Sequence, residues 1–360
     1  MNKKMMAALV SALAAHTAVA QSNVSIYGIA DVGYAGERGG EAGNVSKITS
    51  GASSYSRLGF RGSEEIGNGV SAIFTLESGV KMDTGELDVN NTLFNRQAWV
   101  GLKTRAGTLT VGRQYTPWHL TLSQVADPFK TGYAGTSKNL FPDSGSNVRM
   151  NNSVVYATPT VQGFSGTLAY GFGEQTESSR IGRQMGASLG YSVGKFAVRF
   201  GYNNRNTDVA AAPGVLPVTR GSSSNKLLAA TYDFGILKLH GGYGKDKGFN
   251  SAPLRSAGNP YGGIAPTAST DSNVMLLGLS APVPGGVLMA SVMRKDDETG
   301  FDQDARGWGI AYDYVLSKRS TLYTSYGAVS NKNGAAYTAG NNSEAGTGNR
   351  QFNMGMRHAF

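Results

Sequence analysis

Apolar residues along this chain recur at every second position over short runs, the period of a β-strand with one greasy face. Trp308, Ile310, Tyr312, Tyr314 and Leu316 alternate with Gly307, Gly309, Ala311 and Asp313. Phe164, Leu168, Tyr170 and Phe172 alternate with Ser165, Thr167 and Gly171 in the same way. Met185, Ala187, Leu189, Tyr191 and Val193 interleave with Gly186, Ser188, Gly190 and Ser192, and the next run sets Phe196, Val198, Phe200 and Tyr202 against Lys195, Arg199, Gly201 and Asn203. The pattern predicts about sixteen strands, near 23–35, 52–62, 69–81, 91–104, 107–115, 152–158, 163–173, 184–193, 195–206, 225–234, 236–247, 272–281, 286–296, 305–316, 319–330 and 350–360. Segments 272–281 and 286–296 alternate weakly, so the pattern leaves their register open.

A soluble β-sandwich alternates too. Two features favour a membrane barrel. Aromatic residues gather towards strand ends (Tyr170 with Phe172, Tyr232 with Phe234, Tyr312 with Tyr314), as an interfacial girdle requires. Connections alternate in length: tight ones such as Glu64 to Gly69, Arg105 to Gly107 and Ser317 to Ser320, and long polar ones such as Asn206 to Asn225 and Gly248 to Ser272. Barrels of outer membranes have short periplasmic turns and long outer loops. The mean hydropathy of −0.24 is compatible with this, because only alternate residues face lipid. The expected fold is all-β, a sixteen-stranded antiparallel transmembrane β-barrel, whose last strand, rich in Phe352, Met354, Met356 and Phe360, closes the sheet against Val24 to Tyr34.

The segment 115–151 stands apart. It contains Pro117, Pro128 and Pro142 and no convincing strand, and a connection this long is usually functional. It is expected either as an external lid or folded into the lumen.

Composition adjusts this picture. Met1 to Ala20 has a basic start, a short apolar core and Ala18 and Ala20 at the −3 and −1 positions, the marks of a cleaved secretory leader. Residues 21–360 would then form the barrel. Without Lys3 and Lys4 the chain has 31 basic against 24 acidic side chains, a charge near +7. The basic residues are scattered, with no Lys/Arg block, so no nucleic-acid partner is expected. There is no cysteine, which excludes disulfides, thiol catalysis and Cys metal sites. Glycine, at 50 of 360 residues, has roughly double its usual share of about 7%.

Several runs resemble a known family. Ser56-Arg57-Leu58-Gly59-Phe60-Arg61-Gly62-Ser63-Glu64-Glu65-Ile66-Gly67-Asn68-Gly69, Asn95-Arg96-Gln97-Ala98-Trp99-Val100-Gly101-Leu102, Gly112-Arg113-Gln114, the opening Ser25-Ile26-Tyr27-Gly28 and the terminal Phe360 are similar to the Gram-negative general porins, in their β-proteobacterial branch. The resemblance spans essentially the whole chain after residue 20. It implies a general diffusion channel for small hydrophilic solutes and ions, a homotrimer in the outer membrane among lipid and lipopolysaccharide, and a third loop folded inward as a constriction. It also implies that Phe360 is read by the barrel-assembly machinery. A substrate-specific outer-membrane channel is the alternative.

A pore selects by its width and by the charge at its narrowest part. In the resembled family basic residues line the wall opposite the third loop. Arg57 and Arg96 fall on matching positions, and Arg149 lies at the end of the long segment. Arg57 shares parity with Gly59 and Arg61 while Leu58 and Phe60 take the lipid parity, so Arg57 is expected inside. Arg96 shares parity with Ala98, Val100 and Leu102, and its assignment rests on the resemblance. The loop offers Asp127 and Asp143 against Lys130 and Lys138. The expected constriction is net positive and prefers inorganic anions. Arg61, Arg199, Arg205 and Lys238 are expected to line the lumen; ordinary solvation of a polar interior accounts for them equally.

Catalysis is not expected. After residue 20 the histidines are His119, His240 and His358, and no acid is suggested by spacing to orient His119 towards Ser123. The acids Asp296, Asp297, Glu298, Asp302 and Asp304 lack the spacing of a calcium loop, and Gly242-Tyr243-Gly244-Lys245 lacks the spacing of a phosphate loop. No cofactor or metal is expected.

Overall fold

The strands expected from the two-residue period close into one continuous sheet. The computed structural model describes residues 23–40, 43–176, 178–249, 270–340 and 348–360; the leader expected over 1–20 lies outside them. Seventeen antiparallel strands follow in order: β1 Asn23–Gly40, β2 Gly43–Ser50, β3 Arg57–Gly67, β4 Val70–Gly79, β5 Gln97–Thr104, β6 Gly107–Tyr115, β7 Arg149–Ala157, β8 Phe164–Gly171, β9 Gln184–Val193, β10 Phe196–Asn206, β11 Ser222–Asp233, β12 Lys238–Lys247, β13 Asp271–Val283, β14 Gly286–Asp297, β15 Ala305–Val315, β16 Ser320–Asn331 and β17 Arg350–Ala359. β2 and β3 pair with successive stretches of β1, at Val32↔Ser50 and Ile29↔Arg57. They are two halves of one stave, so the barrel has sixteen. β17 closes it on β1 from Ile29↔Ala359 to Arg38↔Arg350, and Gly28 and Phe360 exchange backbone hydrogen bonds of 3.1 Å at the seam.

The outward face is apolar and uncovered. Ile26, Leu168, Leu189 and Leu277 are each 60% exposed or more, and side chains of that size left bare over a whole surface need hydrocarbon around them. β13 and β14, where the pattern was weakest, pair without a break from Ser272↔Asp297 to Val283↔Gly286.

Four expectations need correction. The strand expected over 91–104 begins only at Gln97, and β2 was not expected. The strand expected over 52–62 begins only at Arg57, because residues 51–56 leave the ladder. Their backbone is tied instead to Asp31: Ser54 N–H donates to its carboxylate at 2.7 Å, and the Ser56 hydroxyl to its carbonyl at 2.9 Å. The long connection is also not structureless. It runs from Thr116 to Val148 and holds a short helix α1 (Pro117–Thr121), capped by the Thr116 hydroxyl, then a wider turn over Leu122–Ala126 and two single 3-10 turns. Arg149, expected at the loop's end, is the first residue of β7.

Candidate functional site

The long connection lies against the inward face of the barrel, and glycine makes room for it. A β-carbon at Gly201 on β10 would sit 2.6 Å from Thr121 Oγ1; at Gly278 on β13, 2.7 Å from Pro128 Cγ; at Gly309 on β15, 2.7 Å from the Ala134 carbonyl; at Gly327 on β16, 2.2 Å from Gly135 N. None of these distances leaves space for a side chain. Around this track Trp118, Leu122, Ala126, Leu140 and Phe141 form a buried cluster with Leu227, Ala229, Val274 and Leu276 of the wall. Phe129 and Tyr133 pack with Met289, Ala311 and Tyr323. The connection thus follows the wall from β8 to β16.

Specific polar contacts hold it there. The Tyr133 hydroxyl donates to Asp313 on β15 at 2.6 Å, and its N–H to the Ala52 carbonyl at 2.8 Å. Gln184 donates to the Ser146 carbonyl, and Asn203 to Asn147. A second connection covers the first: Ala335, Tyr337 and Ala339 join the buried cluster, and Asn139 donates to the Gly340 carbonyl at 3.0 Å.

Both acids expected to supply constriction charge do something else. Asp127 is 2% exposed. It accepts from the N–H groups of Phe129, Thr131 and Ser137 and from the hydroxyls of Thr136 and Ser137, at 2.5–3.1 Å, and so knots the loop to itself. Asp143 is fully buried against His119, Oδ1 to Nδ1 2.6 Å. Burial pushes its carboxyl up, yet the His119 ring, Lys138 and Arg149 together hold it below the usual carboxylate range. The His119 ring also stacks on Tyr115 at 5.1 Å. An acid therefore does orient His119, which spacing had not suggested. The Ser123 hydroxyl donates to the His119 carbonyl at 2.9 Å, so it is not paired with the ring as a nucleophile would be. His240 meets the Val125 carbonyl and Ser280, and His358 meets Ser320.

The wall arginines come together on β3 to β7, within electrostatic reach of one another. Arg96, despite sharing the lipid parity of β5, turns inward: its Nε donates to Glu77 at 2.7 Å, its Nη2 to the Tyr115 hydroxyl at 2.6 Å, and both partners of the ion pair are about 4% exposed. Its guanidinium lies 5.7 Å from the Tyr55 ring. Arg149 lies 4.9 Å over the Tyr115 ring. Arg57 donates to the Tyr55 carbonyl and the Ser54 hydroxyl, both at 2.9 Å, and stands within electrostatic reach of Arg96, Glu77 and Arg149. From the loop, Lys138 donates to the Tyr55 hydroxyl at 2.5 Å. Arg61 follows Arg57 along the same face, over Tyr27 at 5.1 Å.

Other candidates stand elsewhere. Arg199 on β10 donates to Gln124 of the loop at 2.8 Å; Arg205 and Lys238 lie on β10 and β12. All three belong to the loop-bearing wall and do not join the arginine cluster. Lys130 is exposed at a turn with a φ of 55°. Residues that sequence reasoning passed over are Glu77, Tyr115 and Tyr55. Glu77 had a usable signal, since it shares parity with Ser71 and Thr75, interrupted only by Ile73, while Val70, Ala72, Phe74 and Leu76 take the other face.

Three comparisons bear on this arrangement. A family model described as Gram-negative porin matches residues 7–334. An outer membrane porin protein of Bordetella pertussis is 29% identical over the whole of both chains, and outer membrane porin protein 32 of Delftia acidovorans is 30% identical over 99% of this chain and all of its own. Among solved structures, an anion-selective porin from Comamonas acidovorans superposes with a TM-score of 0.74 at 26% identity, over 94% of this chain and all of that one.

Proposed function

Because the chain belongs to the Gram-negative porins, we propose that its channel is narrowed between the long loop and the Arg57, Arg96 and Arg149 wall, and that this passage favours anions. The protein is an outer-membrane β-barrel that acts as a general porin channel and not as an enzyme. Its selectivity follows from charge bookkeeping at the cluster. Three guanidiniums and Lys138 face one wall carboxylate, Glu77, which is consumed by Arg96. Asp127 is spent on five donors of the loop itself, and Asp143, buried against His119, still reaches Lys138 and Arg149, so basic groups outnumber the acids around the cluster. That excess of basic groups is the observation that carries the reading.

Anions entering such a passage meet more cationic donors than carboxylates, while cations meet an electrostatic barrier. The resemblance to an anion-selective porin supports the same direction. Reversal potentials across a planar bilayer in a KCl gradient test it. Cl⁻ is expected to permeate more readily than K⁺, and a K⁺ preference overturns the reading.

Family membership further supports a homotrimer, passage of small hydrophilic solutes and inorganic anions, export by removal of residues 1–20, assembly through the barrel machinery reading Phe360, and an outer leaflet of lipopolysaccharide around the barrel. Residues 115–151 are then the constriction loop.

A further inference from the structure

Six residues interrupt one stave of the barrel. β2 ends at Ser50 and β3 begins at Arg57, and pairing with β1 lapses between Val32↔Ser50 and Ile29↔Arg57. In that gap stands Asp31, fully buried and on the inward parity of Gly33 and Ala35. Its carboxylate accepts from the Ser54 N–H and from the Tyr323 hydroxyl, each at 2.7 Å. Its backbone is engaged as well. The carbonyl accepts from the Gly51 N–H at 3.0 Å and the Ser56 hydroxyl at 2.9 Å, and the N–H donates to Ser56 Oγ at 3.0 Å. Tyr323 reaches Asp31 from two strands away. It lies on β16 opposite Gly355 of β17, which in turn faces Gly33 of β1. A β-carbon at Gly33 would sit 2.8 Å from the Tyr323 hydroxyl, and one at Gly355 would overlap it. Burying a carboxylate away from a cationic partner is costly, and among the described residues Asp31 makes no ion pair; its donors are a hydroxyl and backbone N–H.

The segment that Asp31 anchors carries the groups that hold the cations of the passage. Arg57 directs Nε to the Tyr55 carbonyl and Nη2 to the Ser54 hydroxyl. Lys138 of the long loop donates to the Tyr55 hydroxyl and lies 4.3 Å over its ring, and the Arg96 guanidinium stands 5.7 Å from the same ring. The Ala52 carbonyl accepts from Tyr133 N–H of the loop, and Arg357 donates to the Ser53 hydroxyl at 3.2 Å. Residues 51–56 thus bridge the loop and the arginine wall, and the Asp31 carboxylate fixes their backbone in mid-segment.

We propose that Asp31 is a positioning residue for ion selectivity: through residues 51–56 it sets where Arg57 and Lys138 stand. The inference rests on the reading of the passage as anion-favouring and adds the residue that assembles it. The sign of the effect separates this role from one of charge. As a charge on the lumen wall, Asp31 repels anions, and removing it in any form raises the Cl⁻ preference. As an anchor, its removal frees Ser54 and Tyr55, Arg57 loses both acceptors, and the preference falls. Asparagine keeps an oxygen for the Ser54 N–H and supplies an amide donor for the Tyr323 hydroxyl, so the anchor survives without the charge.

Reversal potentials in planar bilayers at roughly 0.1 M KCl give the permeability ratio. Asp31→Ala is expected to lower the Cl⁻/K⁺ ratio by up to about threefold, the share of one unit charge near the passing ion. Asp31→Asn is expected to keep the wild-type ratio. In an Arg57→Gln background Asp31→Ala should add little, because both changes act through one group. Should Asp31→Ala fail to fold, Asp31→Ser takes its place, with a hydroxyl too short to span both donors. A ratio that rises in Asp31→Asn overturns the proposal. So does a ratio that the Ala or Ser variant leaves unchanged, or a full effect that persists without Arg57. A wild type that prefers K⁺ refutes the anion reading itself; a Cl⁻-preferring wild type with indifferent Asp31 variants refutes only the anchor.

Discussion

Replacing Arg57 with Gln isolates the electrostatic part of the proposed selectivity. Arg57 is the wall arginine best suited to this, since its bonds go to the Tyr55 carbonyl and the Ser54 hydroxyl and its loss strands no buried charge. Removing Arg96 would leave Glu77 buried and unpaired, at a cost of about 3–5 kcal/mol, so a change in selectivity could not be told from damage. An ion passing about 7 Å from the Arg57 guanidinium in a water-filled lumen interacts with it by about 0.6 kcal/mol before screening. At roughly 0.1 M salt the Debye length near 10 Å halves this to about 0.3 kcal/mol. The term has opposite sign for K⁺ and Cl⁻, so the difference is about 0.6 kcal/mol, or close to a threefold change in permeability ratio. Reversal potentials of purified protein in planar bilayers should show Arg57→Gln moving towards cations by about that factor at roughly 0.1 M KCl, and hardly at all near 1 M, where the Debye length is about 3 Å. An unchanged potential at low salt, or a shift of equal size at high salt, refutes the reasoning.

The loop itself can be tested at three points. Asp127→Asn places an amide among five donors that now point at a carboxylate; it should loosen the loop, raise open-channel current noise, and lower the midpoint of heat-induced unfolding on gels by an amount corresponding to about 2–3 kcal/mol. Gly327→Val puts a β-carbon 2.2 Å from Gly135 N and should push the loop off the wall towards the lumen, reducing single-channel conductance while the barrel still folds. The Asp143 carboxyl is held below its ordinary value, so its contribution to loop order is complete above the unfolded value near 3.9 and is lost as pH falls through the lower folded value. Open-state noise should therefore rise only in strongly acidic solution, and Asp143→Asn should show that noise already at neutral pH.

Most of the barrel was legible because a lipid-facing strand writes its geometry into alternate residues. Closure of β17 on β1 followed from reading the chain as a barrel, and parity supported the inward direction that the resemblance implied for Arg57. Where the backbone leaves the ladder, parity stops carrying information. Residues 51–56 read as strand although Asp31, a non-local partner, draws them off it, and Arg96 turns inward just before β5 begins. The family resemblance supplied the Arg96 position that local pattern could not. The roles of Asp127 and Asp143 were misjudged for a related reason: a carboxylate in a loop looks the same in sequence whether it faces water or five donors. The alternation put Gly201 and Gly309 on the small face of their strands but not what lies against them; Gly201, Gly278, Gly309 and Gly327 sit mid-strand on the inward parity, and that placement marks where another segment lies close.

The claim beneath all of this is that successive residues of one strand border water and hydrocarbon in turn, with the water inside. The chain has no cysteine, so single introduced thiols report without background. In bilayers, a charged, membrane-impermeant thiol reagent should step the current down through Arg61→Cys and Arg199→Cys channels and leave Phe60→Cys and Phe200→Cys channels unaffected. Equal reaction at neighbouring positions, or a response at the phenylalanine sites alone, would contradict the account.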